Sequence, residues 1–277
     1  MDLANRPIQY LQVTPQRCSL VAAEVIVEAP ISITVNGEVW LTFMCTPIEL
    51  EALAVGFLYN EGVISSMNEV ADVRLCAAGD NVDVWLAHAA QQPDKWRRTS
   101  GCTGGFTALD VSEALPAPQT AHSTPNGGVI PASAIHSLVS QLFEAQQLYR
   151  ETGGVHTSGI SDGQRIILAC EDIGRHNTLD KLAGRLLLDK IELPKVIILT
   201  TGRISSEMLQ KSARMGASIV VSRTSPSSLS IELAERLHIT LIGYARRNRF
   251  NLYTHAERIA ASSPSLMAEP EVLNKGK

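Results

Sequence analysis

Polar and apolar residues alternate in four short stretches near the start of the chain. Residues 31–36 and 38–44 alternate around the Asn-Gly pair at 36–37, and Asn-Gly readily supplies the positive φ angles of a type I′ turn. This pattern predicts a β-hairpin. Residues 72–76 and 82–88 flank a Gly-Asp-Asn turn in the same way and predict a second hairpin.

A helix is expected between the two hairpins. The run TPIE at 46–49 has the order of a capping box from Thr46 to Glu49, with proline at the first helical position. Apolar residues then recur at helical spacing up to about Glu61. Gly62 follows and predicts a left-handed stop.

The second half of the chain alternates helical patterns with apolar strand patterns. Such alternation predicts crossover connections, and therefore an α/β fold with a sheet that is at least partly parallel and covered by helices. In sheets of this kind, binding sites gather beyond the carboxyl ends of the strands. Helices are expected at 131–150, 175–190, 205–215 and 226–237, and strands at 155–160, 165–170, 195–201, 218–222 and 239–245.

The chain has 277 residues, of which 45% are hydrophobic, enough for one large or two small cores. Its composition changes after residue 89 and again near the end. We therefore predict a smaller N-terminal α+β part at 1–114, a linker at 115–130, a C-terminal α/β part at 131–260 and a disordered tail at 261–277.

Charge and targeting signals exclude several function classes. The net charge is −4, so attraction of the whole chain to nucleic acid or to an anionic membrane is not expected. No apolar run approaches the roughly 18 residues of a membrane span, and the start of the chain has no secretory pattern. The cytoplasm is the expected compartment.

The five cysteines are scattered and form no CxxC pair, which fits neither a disulfide framework nor a typical zinc site. Cys45, Cys76 and Cys170 each lie in an apolar, strand-like run. A buried free cysteine behaves as a small hydrophobe, so we expect these three to be inert core residues.

Cys102 differs, because it lies in the run RRTSGCTGG at 97–105. Glycines allow successive backbone N–H groups to converge on an anion, and nearby arginines favour the thiolate, which is the nucleophile. Residues 97–105 therefore fit a functional loop that carries a reactive thiol. An ordinary loop cysteine in a flexible turn is the alternative interpretation.

Three polar stretches remain. Residues 171–181 follow a predicted strand and place His176 and Asp180 on one helix face, where the carboxylate could fix the imidazole tautomer; a surface start of a helix is the alternative. His156 is interpreted as structural. Residues 246–249 put three arginines after the last strand and fit either a phosphate site or a solvated turn.

Several segments together resemble the formate dehydrogenase accessory sulfurtransferase family, FdhD/NarQ. The resemblance extends in order over about residues 20–258. Its segments are TPIELEALAVGFLYNEGVI (46–64), GCTGG (101–105), TGGVHTSGI (152–160), EDIGRHNTLDKLAGR (171–185), TTGRISSEMLQKSARMGASIVVSRTSPSSLSIELAE (200–235) and TLIGYARRNRFNLYTH (240–255).

This resemblance implies a cytidine-deaminase-like mixed sheet without catalytic zinc, in a protein that forms homodimers. A zinc-deaminase half-motif does occur at His255 and Glu257, but its P-C-x-x-C partner is missing. The implied activity is to accept persulfide sulfur from a cysteine desulfurase. The sulfur would pass to the Mo-bis(molybdopterin guanine dinucleotide) cofactor before its insertion into formate dehydrogenase.

The resemblance also implies roles for single residues. The family's persulfide-bearing cysteine corresponds to Cys102, and the second cysteine of the family loop corresponds to Gly105, so a dithiol within the loop is excluded. The family's cofactor-contacting segment corresponds to Tyr244, Ala245, Arg246, Arg247, Asn248 and Arg249.

Two functions follow from these observations. The first is a sulfur carrier that works through a persulfide on Cys102. The second is a chaperone that binds the molybdenum cofactor and docks on formate dehydrogenase without sulfur chemistry. The absence of a second loop cysteine favours the second function slightly.

Overall fold

The structure is a computed structural model that describes residues 4–92 and 129–260, together with the backbone of 97–98 and 106–107. Cys102 and the predicted tail at 261–277 lie outside the described residues, as does most of the predicted linker. The domain boundaries therefore stay predictions.

The N-terminal part contains a long hairpin and a four-stranded sheet in the order β4-β3-β6-β5. Asn36 and Gly37 have φ angles of 50° and 87°, so the first predicted hairpin is confirmed together with its turn. The second hairpin is confirmed as β5–β6. The elements are β1 (Asn5–Val13), β2 (Cys18–Ile26), β3 (Ala29–Val35), β4 (Glu38–Cys45), α1 (Leu50–Asn60), β5 (Val70–Leu75), β6 (Asn81–Leu86) and the short strands β7 (Arg97–Arg98) and β8 (Phe106–Thr107).

The helix between the hairpins begins later than its sequence pattern indicates. It starts at Leu50, and Glu49 before it has a left-handed φ of 51° with no capping bond from its side chain. The hydroxyl of Thr46 instead accepts a hydrogen bond from the backbone N–H of Ile173, and the Glu49 carboxylate pairs with Arg185. The predicted capping box is therefore wrong, because the side chains of Thr46 and Glu49 both bond to distant residues instead.

The C-terminal part is built on a six-stranded sheet in the order β11-β10-β12-β13-β14-β15. Its strands β12, β13 and β14 are parallel, which confirms a partly parallel α/β sheet; the cytidine-deaminase-like detail stays a prediction. The elements are β9 (Ile130–Pro131), α2 (Ala132–Ala145), α3 (Leu148–Thr152), β10 (His156–Ser161), β11 (Ile166–Asp172), α4 (Arg175–Leu188), β12 (Val196–Thr200), α5 (Ser206–Arg214), β13 (Ala217–Ser222), α6 (Ser228–Arg236), β14 (Thr240–Gly243), β15 (Asn251–Leu252) and β16 (Ile259–Ala260).

The single helix predicted at 131–150 is wrong, because it is divided into α2 and α3. The Glu171 carboxylate accepts hydrogen bonds from the backbone N–H groups of Gln147, Leu148 and Tyr149 at 2.8–3.1 Å. A carboxylate at this position satisfies the free N–H groups of a helix start and complements its dipole. Glu171 thus supplies a new helix start that no residue near 147 encodes.

Two of the three cysteines expected in the core are confirmed there. Cys45 and Cys170 are buried, and burial raises the pKa of the Cys45 thiol to about 12 and raises the pKa of the Cys170 thiol as well. Cys76 is partly exposed and its Sγ lies 3.1 Å from Asp80 Oδ1. Its assignment to the core is wrong, because it lies just beyond the end of β5.

The N-terminal and C-terminal parts meet where α1 crosses α4. Gly56 on α1 and Gly184 on α4 each face the backbone of the other helix, and a Cβ atom on either glycine would overlap carbonyl groups of that backbone. Hydrogen bonds from Thr46 and Ile173 tie the same two parts together. Among the described helices, none is both long and apolar enough to cross a membrane.

We expect Gly56→Ala to lower the free energy of unfolding by about 3 kcal/mol, the upper end of the usual cost of overpacking a core. The sign of this change is diagnostic, because alanine has a higher helix propensity than glycine and would stabilise the helix if there were room for its Cβ atom. Chemical denaturation would measure the change, with Ser137→Ala on the exposed face of α2 as the control. A Gly56→Ala protein as stable as the original would contradict the close crossing.

Candidate anion-binding site at the carboxyl edge of the sheet

Four strands of the C-terminal sheet run in the same direction, so the segments that follow them meet at one edge. Ligand sites of open α/β sheets form at such an edge. The antiparallel strand β10 enters the sheet at this edge with His156. The segments after β11, β12, β13 and β14 begin at Ile173, Thr201, Arg223 and Tyr244.

The predicted arginine segment is held in place by its backbone. The N–H groups of Tyr244 and Ala245 donate to the carbonyls of Thr224 and Ser222 at 3.0 and 2.9 Å. Tyr244 has a φ of 51° and an exposed side chain, whereas Ala245 is fully buried. Ala245 therefore positions the segment and offers no exposed side chain to a ligand.

The rest of the segment forms a tight turn that projects from the edge. The N–H of Arg246 donates to the carbonyl of Arg249 at 2.8 Å, and His136 Nδ1 donates to the carbonyl of Arg246 at 3.1 Å. The side chains of Arg246, Arg247, Asn248 and Arg249 are exposed. The turn thus presents three guanidinium groups on a fixed backbone.

An open cleft of about 420 Å³ lies beside this turn and is called the arginine cleft below. It is lined by Phe143, Arg223, Arg246, Arg247 and Asn248. Tyr244 and Arg249 flank the same turn without lining the cleft. A cleft with three arginines is suited to a ligand with several negative charges, because guanidinium groups bind phosphate oxygens in a bidentate manner.

Arg223 belongs to this site although the sequence analysis missed it. Its guanidinium carbon lies 4.1 Å from the centroid of the Phe143 ring, and its Nε is buried without a hydrogen-bond partner among the described residues. Burial and the neighbouring Arg246 lower the pKa of Arg223. The available signal was its position directly after β13, at the carboxyl edge.

A second cleft of about 350 Å³ lies next to the arginine cleft and shares Arg223 with it. It is called the histidine cleft below, and its lining includes His156, Thr201, Tyr149 and the backbone of Gly154. His156 Nδ1 lies 3.4 Å from Thr201 Oγ1. Burial, together with the positive charge of Arg175, lowers the pKa of His156 and favours the neutral imidazole.

Hydroxyl groups fix the strand ends beneath the two clefts. Ser158 Oγ lies 2.6 Å from Thr178 Oγ1 and donates to Thr200 Oγ1 at 2.9 Å. The N–H of Gly202 donates to the same Thr200 oxygen, and Ser222 Oγ donates to the carbonyl of Gly202 at 2.7 Å. This buried network connects β10, β12, β13 and α4 and holds the strand ends together at this edge.

The predicted pairing of His176 with Asp180 is wrong. Asp180 accepts hydrogen bonds from Lys211 and Asn60, and His176 Nε2 lies 3.5 Å from Ser205 Oγ. Burial and the positive Arg175 hold the pKa of His176 well below its usual range, despite Glu207 at 3.9 Å. His176 is therefore a neutral, buried residue at the start of α4.

The stretch 171–181 is mostly buried and has a structural role, so it is not an exposed helix start. Asp172 is fully buried. It accepts hydrogen bonds from the N–H groups of Thr46 and Gly174, and it pairs with Lys181 at 2.7 Å. These contacts set the start of α4 against the N-terminal part.

Metal ligands and the reactive thiol are the remaining candidate features of the site. Within residues 4–92 and 129–260, no cluster of three or more His, Cys, Asp or Glu side chains could hold a metal ion. Cys102, the predicted persulfide carrier, lies outside the described residues together with Gly105. Its role is therefore part of the proposal below.

Comparison with known proteins places this geometry in a family. A model of the FdhD/NarQ family matches residues 26–260. The chain is 39% identical over 239 residues to the sulfur carrier protein FdhD of Bacillus pumilus, covering 85% of this chain and 90% of that protein. It is 37% identical over 244 residues to the sulfur carrier protein FdhD of Bacillus subtilis, covering 87% and 92% of the two chains.

A solved structure shows the same fold. It is a crystal structure from Desulfotalea psychrophila, described as a formate dehydrogenase accessory protein, with a TM-score of 0.76 and 29% sequence identity. The match covers 93% of this chain and all of that one. On the family model and these relatives together, the chain belongs to the FdhD/NarQ family.

Proposed function

We propose that this protein is a sulfur carrier in the maturation of a formate dehydrogenase. Cys102 accepts persulfide sulfur from a cysteine desulfurase, and the carboxyl edge of the C-terminal sheet binds the Mo-bis(molybdopterin guanine dinucleotide) cofactor as the substrate. The sulfur passes from Cys102 to this cofactor before the cofactor enters the dehydrogenase. The protein acts as a homodimer in the cytoplasm.

Family membership supports the general role. Relatives that match most of the chain are named sulfur carrier proteins, and the related crystal structure is described as a formate dehydrogenase accessory protein. The residues of this chain must perform two tasks: one is to bind the cofactor, and the other is to transfer the sulfur.

The arginine cleft is the observation that carries the binding task. A molybdopterin guanine dinucleotide contains a pyrophosphate, and the chain is net acidic, so the attraction has to be local. Arg223, Arg246 and Arg247 provide it on one wall of the sheet edge. The exposed ring of Tyr244 is close in sequence and offers a face for a guanine or pterin ring.

The transfer task needs an accessible thiolate. Cys45 and Cys170 are buried and their pKa values are raised, so both stay protonated thiols at neutral pH. Cys102 lies between glycines and follows two arginines in sequence, a setting that favours the thiolate.

The first step is an exchange at sulfur. The Cys102 thiolate attacks the outer sulfur of the donor persulfide, the donor S–S bond breaks, and the donor cysteine leaves as a thiolate while Cys102 becomes a persulfide. In the second step the outer sulfur leaves as neutral sulfur and Cys102 returns to the thiolate. The accepting metal centre supplies the two electrons that convert this sulfur to sulfide.

One observation favours a second function. Gly105 stands where the family loop has its second cysteine, so the loop itself has no second thiol to protect or resolve the persulfide. A cofactor-binding chaperone that performs no sulfur chemistry would need the arginine cleft and not Cys102. The two functions make opposite predictions for sulfur loading.

We expect incubation with a cysteine desulfurase and cysteine to add the mass of one or more sulfur atoms to Cys102, and Cys102→Ser to abolish this gain. The reason is that Cys102 is the one cysteine in a glycine-rich loop. Intact-protein and peptide mass spectrometry would measure the loading. The exposed Cys18 provides the matched control, and Cys18→Ser should load normally.

Cys170→Ala should also load, at a stability cost of about 1–2 kcal/mol from the cavity it leaves. If a folded Cys102→Ser protein still gained sulfur, the carrier mechanism would be assigned to the wrong residue. If the unmodified protein gained none, the chaperone function would replace it.

For the binding task, we expect the double change Arg246→Ala/Arg247→Ala to weaken GDP binding by about two orders of magnitude, since each charge-assisted hydrogen bond contributes about 1.5 kcal/mol or more. Isothermal titration calorimetry would measure the affinity. Arg236→Ala, an exposed arginine at the end of α6, is the control and should bind GDP normally. Equal affinities of the double variant and the unmodified protein would move the nucleotide site elsewhere.

A further inference from the structure

Arg223 occupies the point where the arginine cleft and the histidine cleft meet. It lines both of them. Its backbone is set by the sheet, because its N–H donates to the carbonyl of Thr200 at 3.2 Å and the preceding Ser222 is the last residue of β13. A ligand group at the junction of the clefts would therefore contact this side chain.

The guanidinium of Arg223 is oriented without being neutralised. Phe143 holds one face of it at 4.1 Å, a distance that suits cation–π stacking. None of the ion pairs found among the described residues involves Arg223, and its Nε is buried without a partner there. Stacking leaves the N–H groups in the guanidinium plane free to bind a planar or tetrahedral anion.

Two buried lysines elsewhere in the chain have their positive charges balanced by carboxylates. Lys181 pairs with Asp172 at 2.7 Å, and Lys211 pairs with Asp180 at 2.7 Å and lies 3.3 Å from Glu61. Each of these charges has a carboxylate. Arg223 is repelled by Arg246 and partly removed from water, and burying a charged group is costly unless it is paired. Arg223 has no such carboxylate partner among the described residues.

We infer that Arg223 is a diphosphate-binding residue of this site and the one that distinguishes a diphosphate from a monophosphate. The inference rests on the proposed function for the identity of the nucleotide, though not for the chemistry of the anion. Phe143 is a positioning residue that fixes the plane of the guanidinium. Arg246 and Arg247 line the same arginine cleft and supply further positive charge.

The test uses inorganic pyrophosphate as the first probe, followed by GDP and GMP, with the full chain. Arg223→Met should weaken pyrophosphate binding by about tenfold to a hundredfold, and it should reduce the preference for GDP over GMP. Arg223→Lys should recover part of the affinity, because lysine keeps the charge and loses the planar fork. Phe143→Leu should give an intermediate loss with the charge unchanged.

Arg236→Met serves as the matched control, and the thermal unfolding midpoint of every variant would show that it is folded. If Arg223→Met does not fold, the comparison of Arg223→Lys with the unmodified protein carries the test. Unchanged pyrophosphate affinity and an unchanged GDP preference in the folded Arg223 variants would overturn the inference. So would an unmodified protein that binds no pyrophosphate.

The outcomes separate this inference from the proposed function. If Arg246→Ala/Arg247→Ala loses GDP while the Arg223 variants keep it, the inference fails and the nucleotide site stands. If pyrophosphate binding depends on Arg223 but GDP binds no more tightly than pyrophosphate, the inference stands and the guanine part of the proposed function fails.

Discussion

The close crossing of α1 and α4 is the constraint on which the rest of the structure depends. Glycines at 56 and 184 let the two backbones touch, and Asp172 next to this crossing binds Thr46, Gly174 and Lys181 at once. Since Asp172 ends β11 and precedes α4, the same contacts that join the two parts also set the carboxyl edge of the sheet. Its neighbour Glu171 starts α3, which contributes Tyr149 to the histidine cleft. The polar stretch that looked like a candidate site therefore supports the site from beneath.

Two sets of cations in this acidic chain have opposite electrostatic surroundings. Lys181 and Lys211 are buried and each is held by a carboxylate, which makes them parts of the framework. Arg223, Arg246 and Arg247 line an open cleft, and among the described residues no ion pair neutralises them. The positive charge of the arginine cleft can attract a phosphate-bearing substrate locally, while the net charge of −4 disfavours non-specific binding to nucleic acid.

Local sequence patterns predicted the elements that local residues determine. Asn36-Gly37 and Gly62 have the positive φ angles that their turns require, and the alternation of helices and strands correctly predicted the parallel strands of the second sheet. The errors in the predicted helices arose where a distant partner decided the outcome. Thr46 bonds Ile173 across 127 positions, and Glu171 starts a helix 23 positions away through the N–H of Leu148. Arg223 was missed for a related reason, since a single arginine in sequence shows neither its ring partner nor its place between two clefts.

We propose that sulfur on Cys102 and the cofactor in the arginine cleft take part in a single transfer. The most direct measurement is a single-turnover experiment. The protein is first loaded with radiolabelled persulfide sulfur and is then mixed with isolated Mo-bis(molybdopterin guanine dinucleotide) cofactor. We expect the label to move to the cofactor in the unmodified protein and to stay on Cys102 in the Arg246→Ala/Arg247→Ala variant, which should load normally. Label that leaves Cys102 equally fast in both proteins, or that never reaches the cofactor in either, would contradict this mechanism.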